Sequence, residues 1–175
     1  MERGSIEQQN RIDVSSGLFP QAMLETLLAH EVARSRRYPC PISLLYFALR
    51  FPMDPSPEIV ESAQILIANH LHAAMREADL PGLFEGNYLV IMPSTESDGA
   101  RMAAQRMLDD FPRSQITRTA ELFQMSMCIG VSSHKGGPEI SAARLLSNAS
   151  TALWEAQKRG PKSLVVYGEI VKKTE

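Results

Sequence analysis

The sequence predicts an α/β fold of the α+β type, in which a mixed β-sheet is layered with helices. Three observations carry that expectation. Stretches with helical apolar spacing alternate with short apolar runs in the order helix, strand, helix, hairpin, helix, strand, helix, strand. A tight Gly86-Asn87 turn follows Phe84-Glu85 and leads at once into the apolar run Leu89-Val90-Ile91-Met92, and Gly and Asn tolerate the positive φ of a short hairpin. The chain has 175 residues, 44% of them hydrophobic and 22% charged, which suits one domain that buries most of its apolar surface.

The elements follow in order. Residues 1–12 are polar and unpatterned and read as a disordered lead or a linker from another domain, residues 13–170 as the domain, and 171–175 as a tail. From Pro20, Met23, Leu24, Leu27, Leu28 and Val32 recur at helical spacing, and the helix should end before Pro39. Ile42 to Leu49 is a continuous apolar run, as in a central strand covered on both faces. Pro52, Pro55 and Pro57 form a stiff loop. A second helix places Ile59, Val60, Ala63, Leu66, Ile67, Leu71 and Met75 on its apolar face and closes with Arg76-Glu77-Ala78-Asp79.

Residues 84–88 are expected as an exposed hairpin turn. Thr95 and Asp98 fit a capping box that opens a helix through about Leu108. Leu122 to Val131 reads as a strand in which Gly130 allows close backbone approach. The loop from His134 to Pro138 leads to a helix from about Ser141, with Lys158 and Arg159 in its last turn and Gly160 beyond. Ser163 to Tyr167 is the last strand.

Composition excludes some functions. A net charge of −2 gives no nucleic-acid footprint, and no run approaches the ~20 apolar residues of a membrane span. The start Met1-Glu2-Arg3-Gly4-Ser5 is not a secretory signal, so a cytoplasmic location is expected. Cys40 and Cys128 read as buried reduced thiols without a metal-ligand neighbour. His70 and His72 are two apart on a helix and face different sides. Arg34, Arg36 and Arg37 read as a solvated helix end or as part of a second ligand face, Gly136-Gly137 as a loop, and Trp154 as core packing.

Several segments together resemble the diguanylate cyclase (GGDEF) domain, from Asp13 to Tyr167. Asp13-Val14-Ser15-Ser16-Gly17-Leu18-Phe19-Pro20 is similar to its entry motif, and Phe84-Glu85-Gly86-Asn87-Tyr88 lies where its signature hairpin stands. Pro41-Ile42-Ser43-Leu44-Leu45 resembles its first strand, Leu89-Val90-Ile91-Met92-Pro93 the strand after the hairpin, and Cys128-Ile129-Gly130-Val131 its Ser-Ile-Gly-Val strand. Ala152-Leu153-Trp154-Glu155-Ala156-Gln157-Lys158-Arg159-Gly160 resembles its last helix. The resemblance implies a mainly antiparallel five-stranded sheet wrapped by helices, like that of nucleotidyl cyclases.

It also implies a chemistry that these residues do not supply. Joining two GTP molecules needs metal ions held by carboxylates. The first-strand carboxylate positions fall on Ala48 and Arg50, and those of the hairpin on Gly86 and Asn87. Glu85 is one position off. The phosphate-contacting positions near the last helix fall on Gln157 and Pro161, and a shift to Lys158 turns a side chain by ~100°. The expectation is no catalytic residue, no metal and no cofactor.

A different part of the family pattern is present. Arg76-Glu77-Ala78-Asp79 matches the Arg-x-x-Asp motif of an inhibitory cyclic di-GMP site, and Arg106 falls where the family carries a second product-binding arginine. Guanidinium groups suit guanine's O6 and N7 edge or phosphate, and a carboxylate accepts from guanine's amino and imino hydrogens. The spacer to the hairpin, Leu80-Pro81-Gly82-Leu83, is one residue shorter than the family's, and Pro81 is expected to fix a bend there. Taken alone, Arg76 and Asp79 would form an exposed ion pair worth at most ~0.5 kcal/mol.

Two functions follow as expectations. One is a catalytically inactive cyclase-like signalling domain that binds cyclic di-GMP through Arg76, Asp79 and Arg106 and relays to a protein partner or adjacent domain. The other is an interaction or scaffold domain without nucleotide binding. Either allows a homodimer, and neither involves nucleic acid.

Overall fold

The computed structural model describes residues 17–51, 53–111 and 125–171. The expected lead, residues 13–16 of the entry motif, Pro52, residues 122–124 of the expected strand and residues 172–175 of the tail lie outside the described residues.

The expected five-stranded sheet is present. Its strands are β1 (Ile42–Arg50), β2 (Leu80–Phe84), β3 (Asn87–Pro93), β4 (Ser126–His134) and β5 (Leu164–Val166). They lie in the order β2-β3-β1-β4-β5, with every pairing antiparallel except the parallel β4-β5 pair. β1 is central because its apolar run is continuous: Ile42 through Ala48 are all buried, as a strand covered on both faces requires.

Strand alternation divides the interior into two cores. Leu45 and Phe47 of β1 join Tyr88, Val90, Met127 and Ile129 beneath α2 (Pro57–Ala74) and α3 (Ser97–Asp110). Leu44, Tyr46 and Ala48 face α1 (Gln21–Arg37) and α4 (Ala142–Arg159) with Leu89, Ile91 and Cys128. Gly130 lets α4 lie directly on the sheet: a β-carbon there would stand 2.2 Å from Leu153 N and 2.5 Å from the Ala149 carbonyl oxygen.

The hairpin turn lies one residue earlier than the sequence suggested. Phe84 pairs with Asn87, so the turn residues are Glu85 (φ 48°) and Gly86 (φ 77°), and Asn87 opens β3. Two positive φ values give the tight turn that matches strand twist. Aromatic packing sets this register. Tyr88 stacks on Phe47 at 5.0 Å and Phe84 meets Tyr46 edge-on at 6.0 Å, so both are buried and only Glu85 and Gly86 are exposed. The spacer after Asp79 is a strand, not a bend. Pro81 tolerates this edge position, where its carbonyl accepts from Phe19 N at 2.9 Å.

Other expectations need correction. Met23 and Val60 face solvent, and Ala68 and His70 take buried positions on α2 instead. Cys128 is buried but Cys40 only half so; both are free thiols. No side chain caps α3: Thr95 turns its hydroxyl to the Pro93 carbonyl, and its own carbonyl accepts from Ser43. After β5 the chain turns into a short helix α5 (Tyr167–Val171) that the sequence reading missed. Trp154 is 59% exposed and not in the core, because Leu153 and Ala156 hold the face of α4 that meets the sheet.

His70 links the two helices of one core, with Nε2 3.3 Å from the Met107 carbonyl and its ring edge-on to Phe111. Burial pushes its imidazole below the ordinary 6.5, opposed by the Met107 carbonyl and by Asp110. A depressed histidine stabilises the fold above its unfolded value and loses that contribution as pH falls below it. Lowering the pH from about 7 to about 5 should therefore reduce stability more in the unaltered protein than in His70→Gln. Urea midpoints check this, and equal losses in both proteins would refute it.

Candidate functional site

The end of the sheet that carries the hairpin tip is built from β1 and β3. Tyr46 donates its hydroxyl to the Phe84 carbonyl at 3.3 Å and accepts from the Asn87 side-chain amide at 3.3 Å. Burial raises the Tyr46 phenol's pKa, against the lowering effect of the Asn87 bond, so the ring stays neutral. Gln21 on α1 accepts from Glu85 N at 3.1 Å and ties the turn to the first helix. Neither Tyr46 nor Gln21 stood out in the sequence, because each is an ordinary strand or helix residue until the hairpin folds over it.

These residues do not fit a magnesium pair. Ala48 is 3% exposed and packed among apolar side chains. Arg50, at a position where the resemblance implies a carboxylate, carries a cation and donates from Nη1 to the Gln157 carbonyl at 3.0 Å. Gly86 has no side chain, and the Asn87 amide is directed to Tyr46. Among the described residues, no three His, Cys, Asp or Glu side chains gather in a way that could hold a metal ion.

The second constellation lies at the C-terminal end of α2. The helix ends at Ala74, and residues 76–79 form a turn beyond it rather than its last residues. Arg76 N donates to Asp79 Oδ2 at 2.9 Å, and Asp79 N donates back to the Arg76 carbonyl at 3.0 Å. The carboxylate thus closes the turn through the backbone, which corrects the exposed side-chain ion pair: Asp79 is 6% exposed, while Arg76 is exposed. Arg106 on α3 donates from Nη2 to the Ala74 carbonyl at 2.9 Å. That carbonyl is one of the unsatisfied acceptors at a helix end, where a cation is favoured. Arg106 is therefore held on the carbonyl of Ala74, two residues before Arg76.

The remaining polar candidates are separate. Arg34 pairs with Glu31 at 2.7 Å, Arg36 donates to the Ile140 carbonyl, and Arg37 lies over Tyr38, all on the solvated end of α1. Gly136 packs against the Cys40 backbone in a loop closed by Gly137 N and the Ser35 carbonyl.

Residues 61–163 match the family described as diguanylate cyclase, GGDEF domain. The match begins inside α2 and so leaves out the entry motif. No curated protein sequence matches the chain. Among solved structures, the active GGEEF domain of a diguanylate cyclase from Vibrio cholerae superposes with a TM-score of 0.69 at 18% identity, covering 84% of this chain and 96% of that one. The coiled coil and GGDEF domain of DgcB from Caulobacter crescentus, in complex with c-di-GMP, gives 0.68 at 11% identity, covering 83% and 80%. The diguanylate cyclase SiaD from Pseudomonas aeruginosa, in complex with its activator SiaC, gives 0.68 at 20% identity, covering 91% and 63%.

Proposed function

Because this chain belongs to the GGDEF (diguanylate cyclase) domain family, we propose that it is a catalytically silent member that binds cyclic di-GMP at the end of α2 and relays that state to a protein partner. The observation that carries the reading is the gathering of Arg76, Asp79 and Arg106 around one helix end. Guanidinium groups suit guanine's O6 and N7 edge or the charge of a phosphate, and a carboxylate suits guanine's amino and imino hydrogens. Ala48, Arg50, Gly86 and Asn87, standing where the family's metal ligands are expected, offer no carboxylate, which supports silence toward GTP. The complexes of DgcB with c-di-GMP and of SiaD with a protein activator support the choice of ligand and of a protein partner.

Calorimetric titration tests the ligand. Cyclic di-GMP should bind the unaltered domain, and Arg76→Ala should weaken it by ~2–5 kcal/mol, since one partner of a charged pair is removed. The lower figure is already about thirtyfold. Asp79→Ala should weaken binding comparably, and Arg36→Ala, on the far helix α1, should leave it unchanged. Absence of any heat or chemical-shift change at high micromolar ligand would leave the scaffold function instead.

A parallel assay addresses catalysis. GTP with magnesium or manganese should give no cyclic di-GMP above a buffer blank. Product that disappears in Glu85→Ala would mean that Glu85 has recovered a metal, and the silent reading would fall.

A further inference from the structure

We propose that the solvent face at the C-terminal end of α4 is a docking surface for an acidic segment of a partner protein, anchored on Trp154. This surface is independent of the nucleotide site, since α4 covers one face of the sheet and α2 the other.

Trp154 is the chain's single tryptophan and stands on the outer face of α4 while its neighbour Leu153 is buried. It is held in place: Lys158 Nζ lies 3.7 Å from the centre of its ring and 3.1 Å from Glu155 Oε2. A cation over an indole face is attracted by the ring quadrupole, so the ring is ordered before any partner arrives. Arg50 comes from β1 to the same helix end through the Gln157 carbonyl, and exposed Arg159 and Lys162 follow.

Helix-end electrostatics account for cations in a last turn. They do not account for an exposed indole, nor for a cation delivered from another strand. Arg50, Lys158, Arg159 and Lys162 thus lie at one helix end, with Lys158 on the ordered indole, in a chain whose net charge is −2. Lys158, next to Gln157 in the chain, lies over Trp154 on the solvent side of the helix. Carboxylates along an extended segment suit Arg50, Lys158, Arg159 and Lys162, and an apolar residue among them suits the indole. Desolvated Trp and Arg side chains are the usual anchors of such contacts, and charge complementarity selects the partner.

The lone tryptophan serves as the reporter. The probe is a synthetic peptide of alternating glutamate and serine with one central leucine, titrated at low ionic strength against the whole chain. A saturable change in Trp154 fluorescence that diminishes with added salt is expected. The triple variant Lys158→Gln, Arg159→Gln, Lys162→Gln should keep the thermal midpoint and bind at least about tenfold more weakly, or about 1.4 kcal/mol. Arg144→Gln, at the other end of α4, should bind as the unaltered chain does. In Trp154→Phe, calorimetry should register weaker binding. No saturable change, an unaffected triple variant, or unchanged binding in Trp154→Phe would overturn the proposal. Stronger binding of an oligothymidylate of equal charge would overturn it in favour of nucleic acid.

Discussion

Phe47→Ala should lower the unfolding free energy by about 3–5 kcal/mol, as for other large-to-small changes at buried aromatic positions. Phe47 is 0% exposed, pairs with Tyr88 on β3 and Ile129 on β4, and stacks on the Tyr88 ring at 5.0 Å. Removing the ring takes away its transfer free energy and leaves a cavity beneath α2 and α3. The site has little freedom to collapse, because β1 is hydrogen-bonded along both edges. Against a total of about 5–15 kcal/mol for a typical domain, the variant would be close to unfolded at physiological temperature. Urea denaturation followed by circular dichroism measures the loss. A change below about 1 kcal/mol would mean that α2 and α3 settle into the space, and the account of a rigid central strand would fail.

Gly130→Ala is the second large effect and works in the opposite sense, by adding an atom. Its β-carbon would fall 2.2 Å from Leu153 N, 2.5 Å from the Ala149 carbonyl oxygen and 2.7 Å from Ala152 C. All three are backbone atoms of α4, so no side chain can rotate away. The helix must move off the sheet and take Leu145, Ala149, Ala152 and Ala156 with it. Overpacking costs about 1–3 kcal/mol, occasionally more, and a backbone obstacle places this change at about 3 kcal/mol. A midpoint indistinguishable from the unaltered protein would show that α4 does not lie on Gly130 as described.

Local chemistry explains what could be read before the fold was known. The uninterrupted apolar run of Ile42 to Leu49 has one good solution, a strand buried on both faces, and β1 takes it. Gly130 inside an apolar strand signalled close approach, and α4 supplies it. The turn was misplaced by one residue because glycine and asparagine mark a region of positive φ but not its register. The register is decided by Tyr88 on Phe47 and Phe84 on Tyr46, contacts across strands. Thr95 matched a capping pattern, but α3 begins one residue later with Glu96 as its N-cap, and the Thr95 hydroxyl donates to the Pro93 carbonyl instead of accepting from a helix N–H.

The candidate site divides in the same way. Arg76 and Asp79 are close in sequence and were legible as a pair, yet the carboxylate's bond to the Arg76 backbone depends on α2 stopping at Ala74. The contact of Arg106 with the Ala74 carbonyl joins two helices and leaves no local trace. Trp154 was misread because the helical repeat alone does not say which face meets the sheet; the stripe of Leu145, Ala149, Ala152 and Ala156 decides that.

The central place of β1 also has a meaning in time. During synthesis residues 42–50 leave the ribosome before either of their partners, residues 87–93 and 126–134. The first half of the chain therefore carries an apolar strand with two open edges until the hairpin arrives, and one open edge until β4 arrives. Each pairing closes a long loop whose entropy is spent before its contacts reward it. A chain stopped before β4 would keep the central strand of the sheet unpaired on one side, the condition under which strands find other molecules.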